Sequence, residues 1–256
     1  MSRTGSLRLV PLIVERDIRI LFSDTFLVGI MFANFSIDLF ITAVTFGNLI
    51  PPTTGIPSYF LYIAPGSNLI TAAVAAFQSG RDVWREKYIK DLTSYLLSLP
   101  APRLVLAASR IAGGVARSVI ATFPGTLVIC YLYGILFDPR VFAAYLIVGL
   151  FSIGIVGLSM SFAAFASSIE VFVTVRSVVQ LYLSFLSTLF YQVGVFQQRA
   201  PFLVPIVSSN PMSWAVDAFR ELRMSGSGLA QISALVGPCV AFALLGLASY
   251  LWYSKL

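Results

Sequence analysis

The sequence predicts an all-α membrane protein that crosses the bilayer six times, and three observations lead to this fold class. First, 58% of the 256 residues are hydrophobic and only 11% are charged, whereas about 25% of an average soluble domain is charged. Second, the mean hydropathy is +0.88. Third, six apolar stretches are long enough to cross a hydrocarbon core of about 30 Å as helices. Ordinary cytosolic enzymes, disordered chains and nucleic-acid binders are excluded by this composition.

The six predicted spans cover residues 26–50, 59–77, 118–137, 141–165, 177–196 and 229–253. A Pro-Gly pair occurs inside two of them, at Pro65-Gly66 and Pro124-Gly125. Membrane helices tolerate both residue types, so these stretches remain candidates. The first span contains one charged residue, Asp38. It begins too far from the N-terminus to be read as a cleavable signal peptide.

Residues 1–25 predict an amphipathic helix on the membrane surface. Val14, Ile18 and Leu21 share one helical face, at positions i, i+4 and i+7. Glu15, Arg16 and Arg19 occupy other faces and would give the helix a cationic, water-facing side. The alternative is a polar leader without fixed structure.

The positive residues predict the orientation of the chain. With both termini in the cytoplasm, 13 of the 17 Lys and Arg residues fall on cytoplasmic segments. These are Arg3, Arg8, Arg16, Arg19, Arg81, Arg85, Lys87, Lys90, Arg103, Arg110, Arg117, Arg176 and Lys255. The other four are Arg140, Arg199, Arg220 and Arg223. Positive residues accumulate on the cytoplasmic side, so the net charge of +6 indicates topology rather than an anionic partner.

The segment between the second and third spans predicts a charged helix over residues 81–99. Its apolar stripe consists of Tyr88, Leu92, Tyr95, Leu96 and Leu99. Pro100 and Pro102 end the helix. Such a helix could dock on another protein or rest on the bilayer as a linker, and the spacing alone supports both readings equally.

Residues 197–225 predict short re-entrant helices on the outer side, before the last span. Pro201, Pro205 and Pro211 divide a segment that is too polar to span and too apolar for a free loop. Asp217 could pair with Arg220 across one helical turn. Alternatively, both side chains face water.

Missing motifs restrict the chemistry. The chain has no histidine, which removes His-dependent nucleophiles and metal sites. It has neither a GxxxxGK[ST] phosphate loop nor a GxGxxG fingerprint, so ATP would have to bind another polypeptide. An ion-coupled carrier that uses Asp38 is one alternative. A membrane scaffold without transport activity is another.

Four ordered segments resemble the membrane subunit of ABC-2-type ABC exporters. They are YFLYIAPG (59–66), WREKYIKDL (84–92), LSLPAPRLVLAASRI (97–111) and FYQVGVFQQRAPFLVPIVSSNPMSWAVDAFR (190–220). The pattern is most similar to the branch with daunorubicin-resistance and nodulation-factor permeases, which have the type V exporter fold. The resemblance extends over nearly the whole chain.

The resemblance implies a role for each unusual segment. The N-terminal helix would be the connecting helix, with Glu15, Arg16 and Arg19. The charged helix would be the coupling helix, which contacts the ATPase through Trp84, Arg85, Glu86, Lys87 and Asp91. Its sequence departs from the family's usual acidic-basic-acidic run followed by Gly-Thr. The outer segment would form the re-entrant helices, with Asn210, Pro211, Asp217 and Arg220 in the expected places.

The resemblance also implies an assembly and a substrate class. Two permease copies, or this chain and a paralogue, would pair above two ATPase subunits that hold ATP and Mg, in the cytoplasmic membrane of a prokaryote. Spans two and five would line the pathway, with Tyr62, Asn68, Thr71, Phe77, Tyr182, Phe185, Phe190 and Tyr191 as candidate lining residues. Aromatic walls favour a lipid, a glycolipid or a hydrophobic drug. Export of a polysaccharide or a lipid-linked glycan is the alternative.

Overall fold

The computed structural model describes residues 9–23, 59–88, 102–224 and 229–253, together with single positions between 29 and 45. These parts of the chain contain helices and no strands, which confirms the all-α prediction. The α-helices are α1 (Leu9–Ser23), α2 (Tyr59–Tyr88), α3 (Arg103–Leu132), α4 (Arg140–Phe165), α5 (Ile169–Phe185), α6 (Val193–Arg199), α7 (Val204–Ser209), α8 (Pro211–Met224) and α9 (Leu229–Tyr253). A short 3-10 helix, Pro201–Leu203, joins α6 to α7.

Four of the described helices are long and apolar enough to cross a membrane. They are α2 over Tyr59–Glu86, α3 over Arg103–Leu132, α4 over Arg140–Phe165 and α9 over Ala230–Trp252. Six spans are therefore a prediction of the sequence, of which these helices account for four. Most of the predicted first span, including Asp38, lies outside the described residues.

The predicted fifth span, 177–196, is not one helix. α5 begins at Ile169, where the Ser168 hydroxyl caps the helix by accepting a hydrogen bond from Val171 N. It ends at Phe185, and the apolar residues that follow form a turn before α6. Hydropathy cannot reveal this break, because the turn is held by side chains that are distant in the sequence. Ser213 and Arg220 of α8 bind the backbone N–H and carbonyl groups that the turn leaves without helical partners.

The predicted coupling region, 81–99, is also divided differently. Residues 81–88 continue α2 without interruption, so the second span and the first part of this region form one 30-residue helix. Residues 89–99 lie outside the described part. α3 begins directly after Pro102 and ends at a turn in which Gly134 has φ +71°. That left-handed conformation suits glycine at a helix C-terminus.

Different helix termini meet at the two ends of the bundle. At the Glu86 end, Trp84 Nε1 of α2 donates to the carbonyl of Ala166, which follows α4. The Phe165 and Trp252 rings lie 5.6 Å apart there, which brings the end of α9 to the same place. At the opposite, Arg220 end, the start of α4 meets α8 because Arg140 donates to the carbonyl of Leu222.

α4 occupies the centre of the bundle and packs against α2, α3 and α9. Small residues allow its crossing with α9 to be very close. A Cβ on Gly157 would lie 2.6 Å from Ala243 Cα, and a Cβ on Gly246 would lie 2.6 Å from Gly157 Cα. Backbone therefore packs on backbone between α4 and α9, as in membrane helix pairs that meet through small residues.

Gly157→Ala should consequently lower the stability of the bundle by about 1–3 kcal/mol, because the added methyl group must push α9 away from α4. Gly149→Ala, on the same helix, is the matched control. A Cβ there meets nothing within 4 Å, so the control should be neutral or slightly stabilising. Thermal unfolding of the purified variants in detergent measures the difference. Equal melting temperatures for the two variants would contradict this packing.

Candidate functional site

Pro65 leaves one backbone carbonyl near the start of α2 free to bind a side chain of another helix. Because proline has no N–H, the carbonyl of Leu61 loses its helical donor. The hydroxyl of Tyr133, at the end of α3, donates to that carbonyl at 3.0 Å. The first turns of α2 are thereby tied to α3 at the Arg220 end.

Arg220 connects three segments at this end. Its guanidinium donates to the carbonyl oxygens of Tyr62, Thr188 and Leu189 at 2.9–3.2 Å. It also binds the Asp217 carboxylate at 3.0 Å and lies 3.5 Å from the centre of the Tyr62 ring. We call these five residues the Arg220 cluster. The cluster joins α8 to the start of α2 and to the turn after α5.

The predicted pairing of Asp217 with Arg220 is present, and neither side chain simply faces water. Burial raises the pKa of Asp217, while the guanidinium of Arg220 acts in the opposite direction. Thr188 donates to the same carboxylate through its hydroxyl at 3.0 Å. The carboxylate therefore has two partners, which offset part of the cost of burying it.

Asn210 and Pro211 terminate one helix and start another. Asn210 Oδ1 accepts a hydrogen bond from Met212 N at 2.9 Å, which caps α8, and Pro211 occupies the first helical position. Asn210 Nδ2 donates to the carbonyls of Tyr182 and Leu186, which end α5. One side chain thus fixes both the end of α5 and the beginning of α8.

α2 and α5 enclose a groove of about 540 Å³. From α2 and the turn after α5 it is lined by Ser67, Ile70, Val74, Leu189 and Phe190, and from α5 by Ser177, Gln180, Leu181, Ser184 and Phe185. No lining residue is charged. Serine and glutamine side chains in otherwise apolar helices place hydrogen-bonding groups along the wall.

The eight predicted pathway residues do not all lie in this groove. Phe185 and Phe190 line it. Asn68, Thr71 and Phe77 are buried elsewhere in the bundle, and Asn68 Nδ2 donates to Thr126 Oγ1 of α3 at 2.9 Å. Tyr62 belongs to the Arg220 cluster, Tyr182 is partly buried, and Tyr191 is exposed.

Residue type led the prediction to aromatic and amide side chains, whereas helical position determines the lining. Ser67, Ile70 and Val74 recur at i, i+3 and i+7, so they share one face of α2. Ser177, Gln180 and Ser184 recur in the same way on α5. Polar residues repeated on one face of a predicted span were the signal that could have identified them.

A group of charged residues joins α1, α2 and α3 at the other end. Glu86 binds Arg16 at 3.2 Å and also pairs with Arg110, which lies 3.7 Å from Asp17. Arg117 pairs with Asp82 at 2.6 Å. We call Arg16, Asp17, Asp82, Glu86, Arg110 and Arg117 the Glu86 junction. It surrounds a cavity of about 140 Å³ that Arg85 also lines.

The five residues predicted to contact an ATPase differ in their environments, and only Glu86 belongs to this junction. Glu86 is held inside the chain by its two arginines, and Trp84 is buried. Arg85 is exposed. Lys87 lies within α2, and Asp91 lies outside the described residues.

The three residues predicted on the water-facing side of α1 also separate. Glu15 and Arg19 are exposed and pair with each other at 2.7 Å. Arg16 instead turns toward α2, where Glu86 attracts it. A Cβ on Gly113 would touch Asp17, so α1 approaches α3 closely at this point.

Among the described residues, no group of three or more Cys, Asp or Glu side chains could hold a metal ion.

Residues 8–223 match the family described as ABC-2 type transporter. The matched region contains α1 and α2, the α2/α5 groove, the Glu86 junction and the Arg220 cluster, whereas α9 follows it. No curated protein matches the sequence at a significant level.

Proposed function

Because the chain belongs to the ABC-2 type transporter family, whose membrane domain is a transport permease and not a nucleotide-binding ATPase, we propose that it is the membrane-spanning subunit of an ATP-driven exporter. ATP and Mg bind the separate ATPase subunits, of which there are two. The Glu86 end and both termini face the cytoplasm of a prokaryotic cell. The cargo is a lipid, a glycolipid or a hydrophobic drug-like molecule that moves outward.

The α2/α5 groove is the observation that carries this proposal. It is large, uncharged and bordered by hydroxyl, amide and aromatic groups, which suits an amphipathic cargo better than an inorganic ion. A second permease copy, identical or paralogous, closes the open side of the groove. The two copies then enclose a pathway between them.

The continuity of α2 supports a mechanism for coupling. α2 runs without a break from the Arg220 cluster to the Glu86 junction, and its middle forms one wall of the groove. Contacts with an ATPase at the Glu86 end would therefore shift a groove wall. Nucleotide binding selects between two arrangements of this helix, one open inward and one open outward.

The coupling surface is formed by exposed side chains at the Glu86 end. Among the predicted coupling residues whose side chains the structure describes, Arg85 is the exposed one. Lys87 and Asp91 are proposed as further contacts. Trp84 and Glu86 act indirectly, since they fix the end of α2 to Ala166 and to α1 and α3.

Arg85→Glu should weaken association with the ATPase about tenfold or more, because reversing a contact charge replaces attraction by repulsion. Membrane insertion and melting temperature should not change. Arg103→Glu, a charge reversal at another exposed arginine of the same end, is the matched control and should retain the ATPase. Co-purification in mild detergent measures both variants.

ATP-dependent efflux from reconstituted vesicles tests the function itself. Wild-type permease together with its ATPase should export an amphipathic fluorescent lipid only when ATP is present. If no ATPase co-purifies with the wild-type chain, or if an ion gradient drives export without ATP, the proposed function is wrong.

A further inference from the structure

Two arginines near the Glu86 end differ from the other arginines that are at least partly buried there. Arg16, Arg110 and Arg117 each pair with a carboxylate. Arg81 of α2 and Arg176 of α5 make no hydrogen bond or ion pair with any described residue. Both are partly buried, and each lies within electrostatic range of the other. Two like charges therefore lie near each other, and no described carboxylate pairs with either of them.

Helical periodicity places this pair at one end of the α2/α5 groove. Ser67, Ile70 and Val74 line the groove, and the same face of α2 continues through Gln78 to Arg81. On α5, Arg176 lies one turn before Gln180, which lines the groove. The residues that line the groove are uncharged, and helical periodicity places two positive charges just beyond its lining, toward the Glu86 end.

Buried polar atoms at this end also lack partners. Arg81 Nε is a buried donor without an acceptor, and Gln78 Oε1 is a buried acceptor without a donor. A buried unpaired charge or polar atom is costly, and a second positive charge nearby increases the cost. An anionic group that also carries a hydroxyl would satisfy all of these atoms at once.

We propose that the α2/α5 groove binds an anionic amphiphile, whose phosphate or carboxylate contacts Arg81 and Arg176 and whose apolar chain lies along the groove. This rests on the proposed function of the groove as the cargo pathway. Ile70, Val74, Leu181 and Phe185 provide the apolar contacts, and Ser67, Ser177, Gln180 and Ser184 bind polar groups next to the head group. A hydroxyl of the head group donates to Gln78. The ammonium of a zwitterionic head group would be repelled.

Binding of phosphatidylglycerol and phosphatidylcholine to the purified full chain tests this proposal. Native mass spectrometry in detergent should show that the wild type binds phosphatidylglycerol at least tenfold more tightly. Arg81→Gln and Arg176→Gln should each weaken phosphatidylglycerol binding about tenfold, which is the effect of losing one charge-assisted hydrogen bond. The double variant should bind both lipids equally. Arg199→Gln, at an exposed arginine of α6, is the matched control and should behave as the wild type.

Two further measurements separate the amphiphile from other anions. Ile70→Trp fills the groove without touching the arginines, so it should weaken lipid binding and leave inorganic phosphate binding unchanged. If millimolar inorganic phosphate displaces the lipid completely and Ile70→Trp has no effect, the site binds free anions and the proposal is wrong. If the arginine variants lose the ATPase but keep their lipid preference, the pair docks a protein and the proposal is also wrong.

The lipid measurements need neither ATP nor an ATPase. A chain that binds phosphatidylglycerol selectively but exports nothing would therefore overturn the proposed function and leave the anion site intact. A chain that exports a neutral lipid with ATP but has no preference for phosphatidylglycerol would overturn the anion site alone.

Discussion

Arg220→Gln is expected to destabilise the folded chain by about 3 kcal/mol. The guanidinium neutralises Asp217 and donates to three backbone carbonyls. Those of Thr188 and Leu189 lie in the turn after α5, and that of Tyr62 lies in the first turn of α2. Glutamine is too short to reach these groups together. Removing one partner of a fully buried, hydrogen-bonded ion pair costs about 3–5 kcal/mol. The Asp217 side chain is 36% exposed, which places the expected loss at the lower end of this range.

Arg223→Gln is the matched control, because Arg223 lies on the same helix and is exposed. It should change the stability by less than about 0.5 kcal/mol. Arg220→Lys should fall between the two, since an ammonium group keeps the charge but cannot form the same set of planar contacts. Chemical or thermal unfolding in detergent ranks the three variants.

The deficit of Arg220→Gln should also depend on pH. Burial already raises the pKa of Asp217, and loss of the guanidinium removes an opposing influence and raises it further. A carboxyl group with a higher pKa in the folded state than in the unfolded state loses stability as the pH rises between the two values. The deficit should therefore shrink as the pH falls toward 4. A deficit independent of pH, or one no larger than that of Arg223→Gln, would contradict the Arg220 cluster.

The sequence predicted the helical class and four stretches that overlap the membrane-length helices, because these depend on local hydropathy. The third stretch, 118–137, overlaps α3 only in part, since α3 begins at Arg103 and ends at Leu132. It also predicted that Pro211 divides the outer segment and that Asp217 pairs with Arg220. Both features follow from the residue types at neighbouring positions. Local signals of this kind survive folding because their partners are close in the chain.

The break at Phe185 depends on distant residues and was missed. Leu186 to Phe190 are uncharged and mostly apolar, so hydropathy extends the span through them. In the structure, Asn210 and Arg220 bind carbonyls of this turn, and Ser213 Oγ accepts from Thr188 N at 3.0 Å. These side chains replace the hydrogen bonds that a continuing helix would have formed.

Site residues were hardest to predict where one side chain had two possible partners. Glu86 was assigned to contact with an ATPase because the family resemblance places it in the coupling helix. Within the chain it meets Arg16, 70 positions earlier, and Arg110, 24 positions later. Spacing on one helix cannot show either contact, so the exposure of Arg85 and the enclosure of Glu86 emerge only from the packing of three helices.

Glu86→Gln is accordingly expected to release α1 from the bundle. Glu86 is mostly enclosed, with 14% of its side chain exposed, and it neutralises both Arg16 and Arg110. If Glu86 loses its charge, Asp17 is the carboxylate that remains beside Arg16 and Arg110. The side chain of Arg110 is only 7% exposed. We expect a loss of about 2–3 kcal/mol, reduced from the value for a fully buried pair because Arg16 is one-third exposed. Limited proteolysis should then cut within α1 faster than in the wild type.

Glu15→Gln is the matched control, since Glu15 carries the same charge on α1 but forms its ion pair with Arg19 in an exposed position. Exposed pairs of this kind contribute about 0.3–0.5 kcal/mol, so proteolysis of the control should follow the wild type. Equal protection of α1 in Glu86→Gln and Glu15→Gln would show that apolar packing, not the Glu86 junction, holds α1. Faster cleavage in Glu86→Gln alone, with efflux lost even though Arg85 is intact, would mean that α1 must be fixed to α2 and α3 for an ATPase to move the groove wall.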